Sequence, residues 1–148
     1  MKRIAAVTGG AGGIGEAVCR KLAEEGWEVI VCCRSSLEKA KALAREIGGR
    51  ALCFDISDSQ QIRSALTSAG EIDLLVNNAG ISEIETFDRI SPEKAAAIMN
   101  VNLIGAMTCA RTVLPGMISR KSGCIINISS MWGQVGASCE VDYSASKA

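Results

Sequence analysis

A glycine-rich segment near the N-terminus has the residue types and spacing to bind phosphate. It reads Thr8-Gly9-Gly10-Ala11-Gly12-Gly13-Ile14-Gly15 and lies between a short apolar run and a segment with helical periodicity. Glycine suits this position because the turn is tight, the backbone must approach a pyrophosphate, and the helix must pack close to the strand. The helix N-terminus then offers unpaired N–H groups and its positive dipole end to the phosphates. A flexible turn is the alternative; the position between strand and helix favours dinucleotide binding.

The end of the second predicted strand indicates which dinucleotide is bound. An acidic residue there would bind the ribose 2′-hydroxyl of NAD. The strand instead ends in Cys32-Cys33-Arg34-Ser35, without an acid. The planar guanidinium of Arg34 can clamp a 2′-phosphate. We therefore predict NADP rather than NAD, with an ordinary surface arginine as the alternative.

Other residue types limit the chemistry further. The chain contains no histidine, which excludes Ser-His-Asp and Cys-His catalysis. Its seven cysteines form no Cys-x-x-Cys pair, so zinc-site spacing is absent and no metal site is predicted. Without a secretory signal they indicate reduced cytosolic thiols. Four of them fall in predicted strands, where cysteine acts as a small apolar residue: Cys32, Cys33, Cys53 and Cys124.

Two further patterns concern polar side chains on predicted helices. Tyr143 and Lys147 are four residues apart, so they share one helix face, although this spacing alone also fits an ordinary surface pair. Asn100 and Asn102 lie inside a long predicted helix. Asparagine is a poor interior helix residue because its amide competes with backbone hydrogen bonds. Both patterns therefore suggest a specific role.

The elements that position these residues alternate between strands and helices. We predict strands over 2–7, 28–33, 51–54, 72–76 and 124–128, and helices over 13–25, 37–47, 57–67 and 92–119. Ser57 and Gln60 form the pattern of a capping box, and Ser91 and Pro92 form a strong helix start. The strands are continuously apolar, which indicates burial on both faces. This order predicts one α/β domain over 1–148 with a doubly wound parallel sheet, a Rossmann fold.

Composition narrows the functional class. Hydrophobic residues make up 48% and charged residues 22%, which indicates a globular chain. Sixteen basic residues balance sixteen acidic ones, so no nucleic-acid footprint is present. The first apolar run is too short for a signal peptide, and no run approaches the roughly 18 consecutive apolar residues of a membrane span. We expect a cytoplasmic protein without nucleic-acid or membrane partners.

Several segments, taken in order, resemble the single-domain branch of the short-chain dehydrogenase/reductase family over the whole chain. They are the Thr-Gly-x-x-x-Gly-x-Gly turn, Asp55 after the third strand, Asn77-Asn78-Ala79-Gly80 after the fourth, Asn100-Val101-Asn102-Leu103, and Ser130 followed by Tyr143-x-x-x-Lys147. The resemblance implies an NADP(H) site. Its residues are Gly9, Gly13, Ile14, Gly15, Arg34, Asp55, Ile56, Asn78, Tyr143 and Lys147, with Asp55 at the adenine amine.

The resemblance also implies reduction of a ketone to an alcohol by hydride transfer. Tyr143 would donate the proton. Lys147 would favour the tyrosinate electrostatically and hold the nicotinamide ribose. Ser130 would donate a hydrogen bond to the substrate oxygen. Asn102 would bend the long helix and order a water that reloads the proton.

Two substrate classes are compatible with the resemblance. The first half is similar to 3-oxoacyl-carrier-protein reductases, and the stretch 129–140 is similar to elongation factor P 5-aminopentanone reductases. In the second case Glu140 would meet a cationic amine; otherwise it is a solvated loop residue. The substrate would thus be a small, carrier-bound or protein-bound ketone, and a homo-oligomer is implied for the whole enzyme. Because family members are longer, we expect this chain to be an N-terminal fragment that is poorly soluble and inactive alone. The alternative to a reductase function is therefore an inactive fragment that binds the cofactor.

Overall fold

The computed structural model describes residues 3–148. Within these residues, five strands form one sheet, in which all pairings are parallel. They are β1 (Ile4–Val7), β2 (Glu28–Cys33), β3 (Arg50–Cys53), β4 (Leu74–Asn77) and β5 (Cys124–Asn127), arranged in the order β3-β2-β1-β4-β5. The predicted doubly wound parallel sheet is confirmed. Lys2, which we placed in the first strand, lies outside the described residues.

Helices connect the strands on both faces of the sheet. They are α1 (Gly13–Glu24), α2 (Leu37–Ile47), α3 (Ser59–Ser68), α4 (Pro92–Met99), α5 (Ala106–Arg120), α6 (Trp132–Val135) and α7 (Val141–Lys147). A π-helical segment, Asn100–Gly105, joins α4 to α5. Ser91 caps α4 as predicted, since its hydroxyl accepts the N–H of Lys94.

The predicted capping box at Ser57 is wrong. Asp58 caps α3 instead, because its carboxylate accepts the N–H groups of Gln60 and Gln61. Ser57 lies one residue too early and donates both its N–H and its hydroxyl to the carboxylate of Asp55. A carboxylate at the N-cap also interacts favourably with the helix dipole, which explains why the helix begins after Asp58.

The hydrophobic core lies on both faces of the three central strands. Ala5, Ala6 and Val7 of β1 are fully buried, as is Leu75 of β4. Full burial of one large apolar side chain such as Leu75 contributes about 1.5–3 kcal/mol to the stability of the fold. The two edge strands differ, because each has a neighbour on one side only. Cys53 in β3 and Cys124 in β5 are exposed, so our interpretation of the strand cysteines as buried apolar residues holds for Cys32 and Cys33 alone.

One long helix crosses the sheet. Although it has no uninterrupted run of apolar residues, the continuous helical stretch Pro92–Arg120 is long and apolar enough by composition to cross a membrane. In this fold its inner face packs on the core instead. Cys109, Val113 and Met117 join the same hydrophobic cluster as Leu75 of β4. Packing against the sheet accounts for the apolar residues on the inner face of this helix.

Candidate active site

The glycine-rich turn packs so tightly against the end of β4 that one position excludes any side chain. A Cβ atom at Gly15 would lie 2.2 Å from the carbonyl oxygen of Gly9 and 2.7 Å from Nδ2 of Asn78. Gly9 has a φ of +63°, which glycine adopts without strain. The turn therefore requires glycine both for its backbone conformation and for its close contact with Asn78.

The beginning of α1 is open towards the cleft. Gly12 is the N-cap and no side chain of residues 3–148 caps the helix. A Cβ at Gly12 or Gly13 would meet no described atom within 4 Å. The N–H groups of the first turn have no acceptor inside a helix and carry the positive end of its dipole. Beside them, the side chain of Ile14 is 66% exposed. This geometry can bind an anionic group such as a pyrophosphate.

Hydrogen bonds join the turn to the end of β4. The hydroxyl of Thr8 accepts the N–H groups of Asn78 and Ala79, both at 3.0 Å. In return, Nδ2 of Asn78 donates to the carbonyls of Thr8 and Gly9 at 3.0 and 3.3 Å. Asn78 is therefore a structural brace between two loops at the same sheet edge.

A cleft of about 280 Å³ follows the carboxyl edge of the sheet. It passes the glycine turn and extends to Arg34 on one side and to Gly80 and Ile81 on the other. Ile56 also lines it. Asp55 precedes Ile56, and hydrogen bonds from Ser57 hold the pKa of the Asp55 carboxyl below its usual value, with a smaller contribution from the charge of Arg34. Of the predicted cofactor residues, Gly9, Arg34 and Ile56 line this cleft.

Asn102 is buried in the π-helical segment and connects three parts of the site. Its Oδ1 accepts the N–H of Ile81 at 2.8 Å. Its Nδ2 donates to the carbonyl of Ile81 at 2.9 Å and to the hydroxyl of Ser146 at 2.9 Å. Both ends of the amide therefore bind protein groups and hold α7 against the loop after β4. The expected ordering of a water by Asn102 stays a prediction.

Lys147 is the last residue of α7 and lines a second cavity, which shares Ala79 with the cleft. Its Nζ donates to the carbonyl of Ile128 at 2.9 Å and lies 5.9 Å from the centroid of the Tyr143 ring. Burial lowers the pKa of Lys147. A Cβ at Gly80 would lie 3.4 Å from this Nζ and 3.3 Å from Oδ1 of Asn102. The structure therefore brings Asn102 and Lys147 together beside Gly80, which lines the cleft, and places the Tyr143 ring near Lys147.

Ser130 lies in the segment between β5 and α6. Its half-buried hydroxyl accepts the N–H of Trp132 at 3.2 Å. The neighbouring Ser129 donates its hydroxyl to the carbonyl of Lys147 at 2.6 Å. Helices α6 and α7 pack against each other. Ser129 therefore contacts α7 directly, and Ser130 can present its hydroxyl from the adjacent element.

Sequence reasoning missed Ser146 as a member of the site. It is buried, accepts a hydrogen bond from Asn102 and donates one to the carbonyl of Tyr143 at 2.7 Å. Its position one helical turn after Tyr143, inside the Tyr-x-x-x-Lys segment, is the signal that could have identified it. It connects Asn102 to the helix that carries Tyr143 and Lys147.

A parallel sheet in this order, with a glycine turn between β1 and the start of α1, is the doubly wound fold of dinucleotide-binding domains. The family model of the short chain dehydrogenases matches residues 3–148. The chain belongs to this family.

Known proteins of several activities are similar to the chain. An acetoacetyl-CoA reductase of Rhizobium meliloti is 38% identical over all of this chain. A 3-oxoacyl-acyl-carrier-protein reductase, FabG, of Staphylococcus aureus is 34% identical, also over all of it. The crystal structure of a gluconate 5-dehydrogenase from Burkholderia cenocepacia, in complex with NADP and tartrate, superposes on 99% of the chain with a TM-score of 0.92 and 36% identity.

The chain spans part of each relative. It covers 63% of the acetoacetyl-CoA reductase, 64% of the 3-oxoacyl-acyl-carrier-protein reductase and 61% of the gluconate 5-dehydrogenase.

Proposed function

We propose that this chain supplies the cofactor site and the proton-donating residues of an NADP-dependent ketone reductase. The observation that carries the proposal is the continuity of the cleft. It extends from Arg34 at the end of β2 to Gly80, and beside Gly80 the side chains of Lys147 and Asn102 meet. A dinucleotide in this cleft would have its adenosine end at Arg34 and its reactive end near Tyr143.

The residues present fit such a cofactor. The open first turn of α1 suits the pyrophosphate, and the clash at Gly15 shows that the turn leaves no room for a side chain on its inner side. Ile56 and the carboxylate of Asp55 would hold the adenine, and Arg34 the 2′-phosphate. The exposed side chain of Ile14 would be covered by the bound molecule. When bound, NADPH supplies a hydride to the carbonyl carbon of the substrate.

The chain's own residues would complete the reduction with a proton. The hydroxyl of Tyr143 donates it to the developing alkoxide. The ammonium of Lys147, 5.9 Å from the Tyr143 ring, stabilises the tyrosinate that remains. The hydroxyl of Ser130 donates a hydrogen bond to the same substrate oxygen. Asn102 acts as a positioning residue, since it holds Ser146 and thereby α7 in place.

We propose a 3-oxoacyl thioester as the substrate class. Two relatives named above reduce acetoacetyl-CoA and 3-oxoacyl groups according to their names. An apolar surface near the site supports this choice. Ile84 and Phe87, after β4, are 79% and 68% exposed, and their loop is hydrogen-bonded to the loop before α7 through Glu85 and Cys139. The elongation factor P alternative, with Glu140 at a cationic amine, stays a prediction.

We further propose that residues 1–148 form one cofactor-binding domain, that the whole enzyme is a cytoplasmic homo-oligomer, and that neither nucleic acid nor membrane is a partner. Exposed apolar residues on the long helix support an oligomer, because exposed patches of this kind mark interaction surfaces. They are Ile104, Met107, Leu114 and Ile118. Free thiols at all seven cysteines are compatible with a reducing compartment.

The substitution Tyr143→Phe tests the proposal. NADPH oxidation with acetoacetyl-CoA should fall at least about a hundredfold, because the proton donor is removed, whereas the dissociation constant of NADPH should change little. Thr67→Ala, at an exposed position of α3, serves as the control. Retained turnover in this variant would refute the assignment of Tyr143 as the proton donor. Binding without turnover in the wild-type chain would favour the alternative, a non-catalytic cofactor-binding fragment.

A further inference from the structure

Two cysteines lie side by side at the ends of neighbouring strands. Cys33 ends β2, Cys53 ends β3, and the two residues are partners in the parallel register. Neighbouring strands are about 4.8 Å apart, which lies within the Cα separation of about 4.4–6.8 Å that a disulfide spans. Cys33 packs in the cluster that also contacts Ala51. Because side chains alternate along a strand, Cys53, two residues after Ala51, points to the same face as Cys33.

Both thiols border the adenosine end of the cleft. Cys33 lines the cleft directly before Arg34. The Sγ of Cys53 donates to the carbonyl oxygen of Arg34 at 3.0 Å. Cys53 is exposed at the edge of the sheet, whereas Cys33 is buried. Burial, with a smaller contribution from Cys53, raises the pKa of the Cys33 thiol to about 11. One thiol is therefore accessible to reagents and the other lies beside it in the interior.

We propose that Cys33 and Cys53 form a redox-sensitive dithiol that a low-molecular-weight disulfide oxidises to an intramolecular disulfide. The thiolate of Cys53 attacks one sulfur of the reagent, which releases one thiolate and leaves a mixed disulfide on Cys53. The thiolate of Cys33 then attacks the sulfur of Cys53 and releases the second thiolate. Two protein thiols are oxidised, the reagent is reduced to two thiols, and the protons of the cysteines end on the released thiolates.

The oxidised chain should bind dinucleotide less tightly, a consequence that rests on the proposed function. The S–S bond removes the proton with which Cys53 holds the carbonyl of Arg34. Loss of one hydrogen bond corresponds to about a twofold to tenfold change in affinity. Bound NADPH should in turn slow the oxidation, because it would cover the cleft at Cys33. The second step should be faster at higher pH, since more of Cys33 is then the thiolate.

Mass spectrometry of the purified chain after incubation with oxidised glutathione tests the dithiol. We expect a cross-link between the tryptic peptides 22–34 and 51–63 and a loss of two hydrogen atoms from this pair. Cys53→Ser should prevent both, and Cys33→Ser should stop the reaction at a glutathione adduct on Cys53. Cys32→Ala should leave the cross-link, which assigns it to Cys33. Cys124→Ser, in the exposed edge strand β5, is the matched control and should also leave it.

A cross-link that disappears in Cys32→Ala but remains in Cys33→Ser, or the absence of any cross-link in the wild type, would overturn the dithiol. NADPH titration of the reduced and oxidised chains tests the consequence, and equal dissociation constants would overturn that part. If neither form bound NADPH, the proposed function would fail, while the mass measurement would still decide whether the dithiol exists.

Discussion

Gly15→Ala should destabilise the protein although it replaces glycine with a better helix former. In an open helix position this change would contribute up to about 1 kcal/mol of stability. At Gly15 the new Cβ would lie 2.2 Å from the carbonyl oxygen of Gly9 and 2.7 Å from Nδ2 of Asn78. Neither atom can move freely, because one belongs to the backbone of the turn and the other donates to the carbonyls of Thr8 and Gly9.

The magnitude follows from the cost of inserting a methyl group into packed surroundings. Such overpacking typically costs about 1–3 kcal/mol, and more where the backbone must shift. We expect about 3 kcal/mol for Gly15→Ala. For a domain of this size, 1 kcal/mol lowers the midpoint of thermal unfolding by about 2–4 °C, so the midpoint should fall by about 6–12 °C. Circular dichroism at 222 nm during a thermal scan, with reversibility checked by rescanning, is a suitable assay.

Gly12→Ala provides the matched control. Gly12 has a φ of −128°, and its added Cβ would meet no atom within 4 Å. Because Gly12 is the N-cap of α1, where alanine is less favourable than glycine, this variant should lose no more than about 1 kcal/mol. It should therefore unfold within about 4 °C of the wild type. A Gly15→Ala variant as stable as Gly12→Ala would refute the steric reasoning and the assigned geometry of the turn.

Three further predictions concern charge and hydrogen bonding. Arg34→Ala should weaken NADPH binding about tenfold to a hundredfold, as expected for a lost charged hydrogen bond, and should leave NADH binding nearly unchanged. Equal losses of affinity for both cofactors in fluorescence titrations would contradict a role of Arg34 at the 2′-phosphate. Asn102→Ala should lower the free energy of unfolding, measured with denaturant, by about 2–3 kcal/mol, because it leaves the backbone N–H and carbonyl of Ile81 without their partner. A loss below about 0.5 kcal/mol, on the order of a surface change, would argue against a stabilising role of these hydrogen bonds. Asp58→Ala should lower the free energy of unfolding by about 1 kcal/mol because α3 loses its N-cap, whereas Ser57→Ala should lower it less. The reverse order in urea unfolding would support the capping box predicted at Ser57.

Local patterns predicted most of the secondary structure because each depends on neighbouring residues. The helix Leu37–Ile47 and the strand Glu28–Cys33 have the predicted bounds, since periodicity and chain breaks mark both. The predicted bounds of the fourth strand are less accurate. We placed it over 72–76, and it extends over Leu74–Asn77. Apolar character alone does not distinguish a strand from the buried residues before it, such as Ile72.

The candidate site divides in the same way. The positions of Tyr143 and Lys147 follow from a short spacing on one helix, so the sequence was sufficient to propose that they act together. The partner of Asn102 could not be predicted, because Ile81 and Ser146 lie 21 and 44 residues away. Such contacts exist only after the loop after β4, the long helix and α7 have packed together.

By itself, the sequence determined the alternation of strands and helices, the glycine turn and the family to which the chain belongs, because these depend on residue type and short spacing. The tertiary structure decided which strands became edges, and therefore that Cys53 is exposed while Cys33, its partner in register, is buried. It also decided that Asn102 is used for hydrogen bonds within the protein. Both outcomes depend on which segments become neighbours in space, and the periodicity of a single segment carries no information about its neighbours.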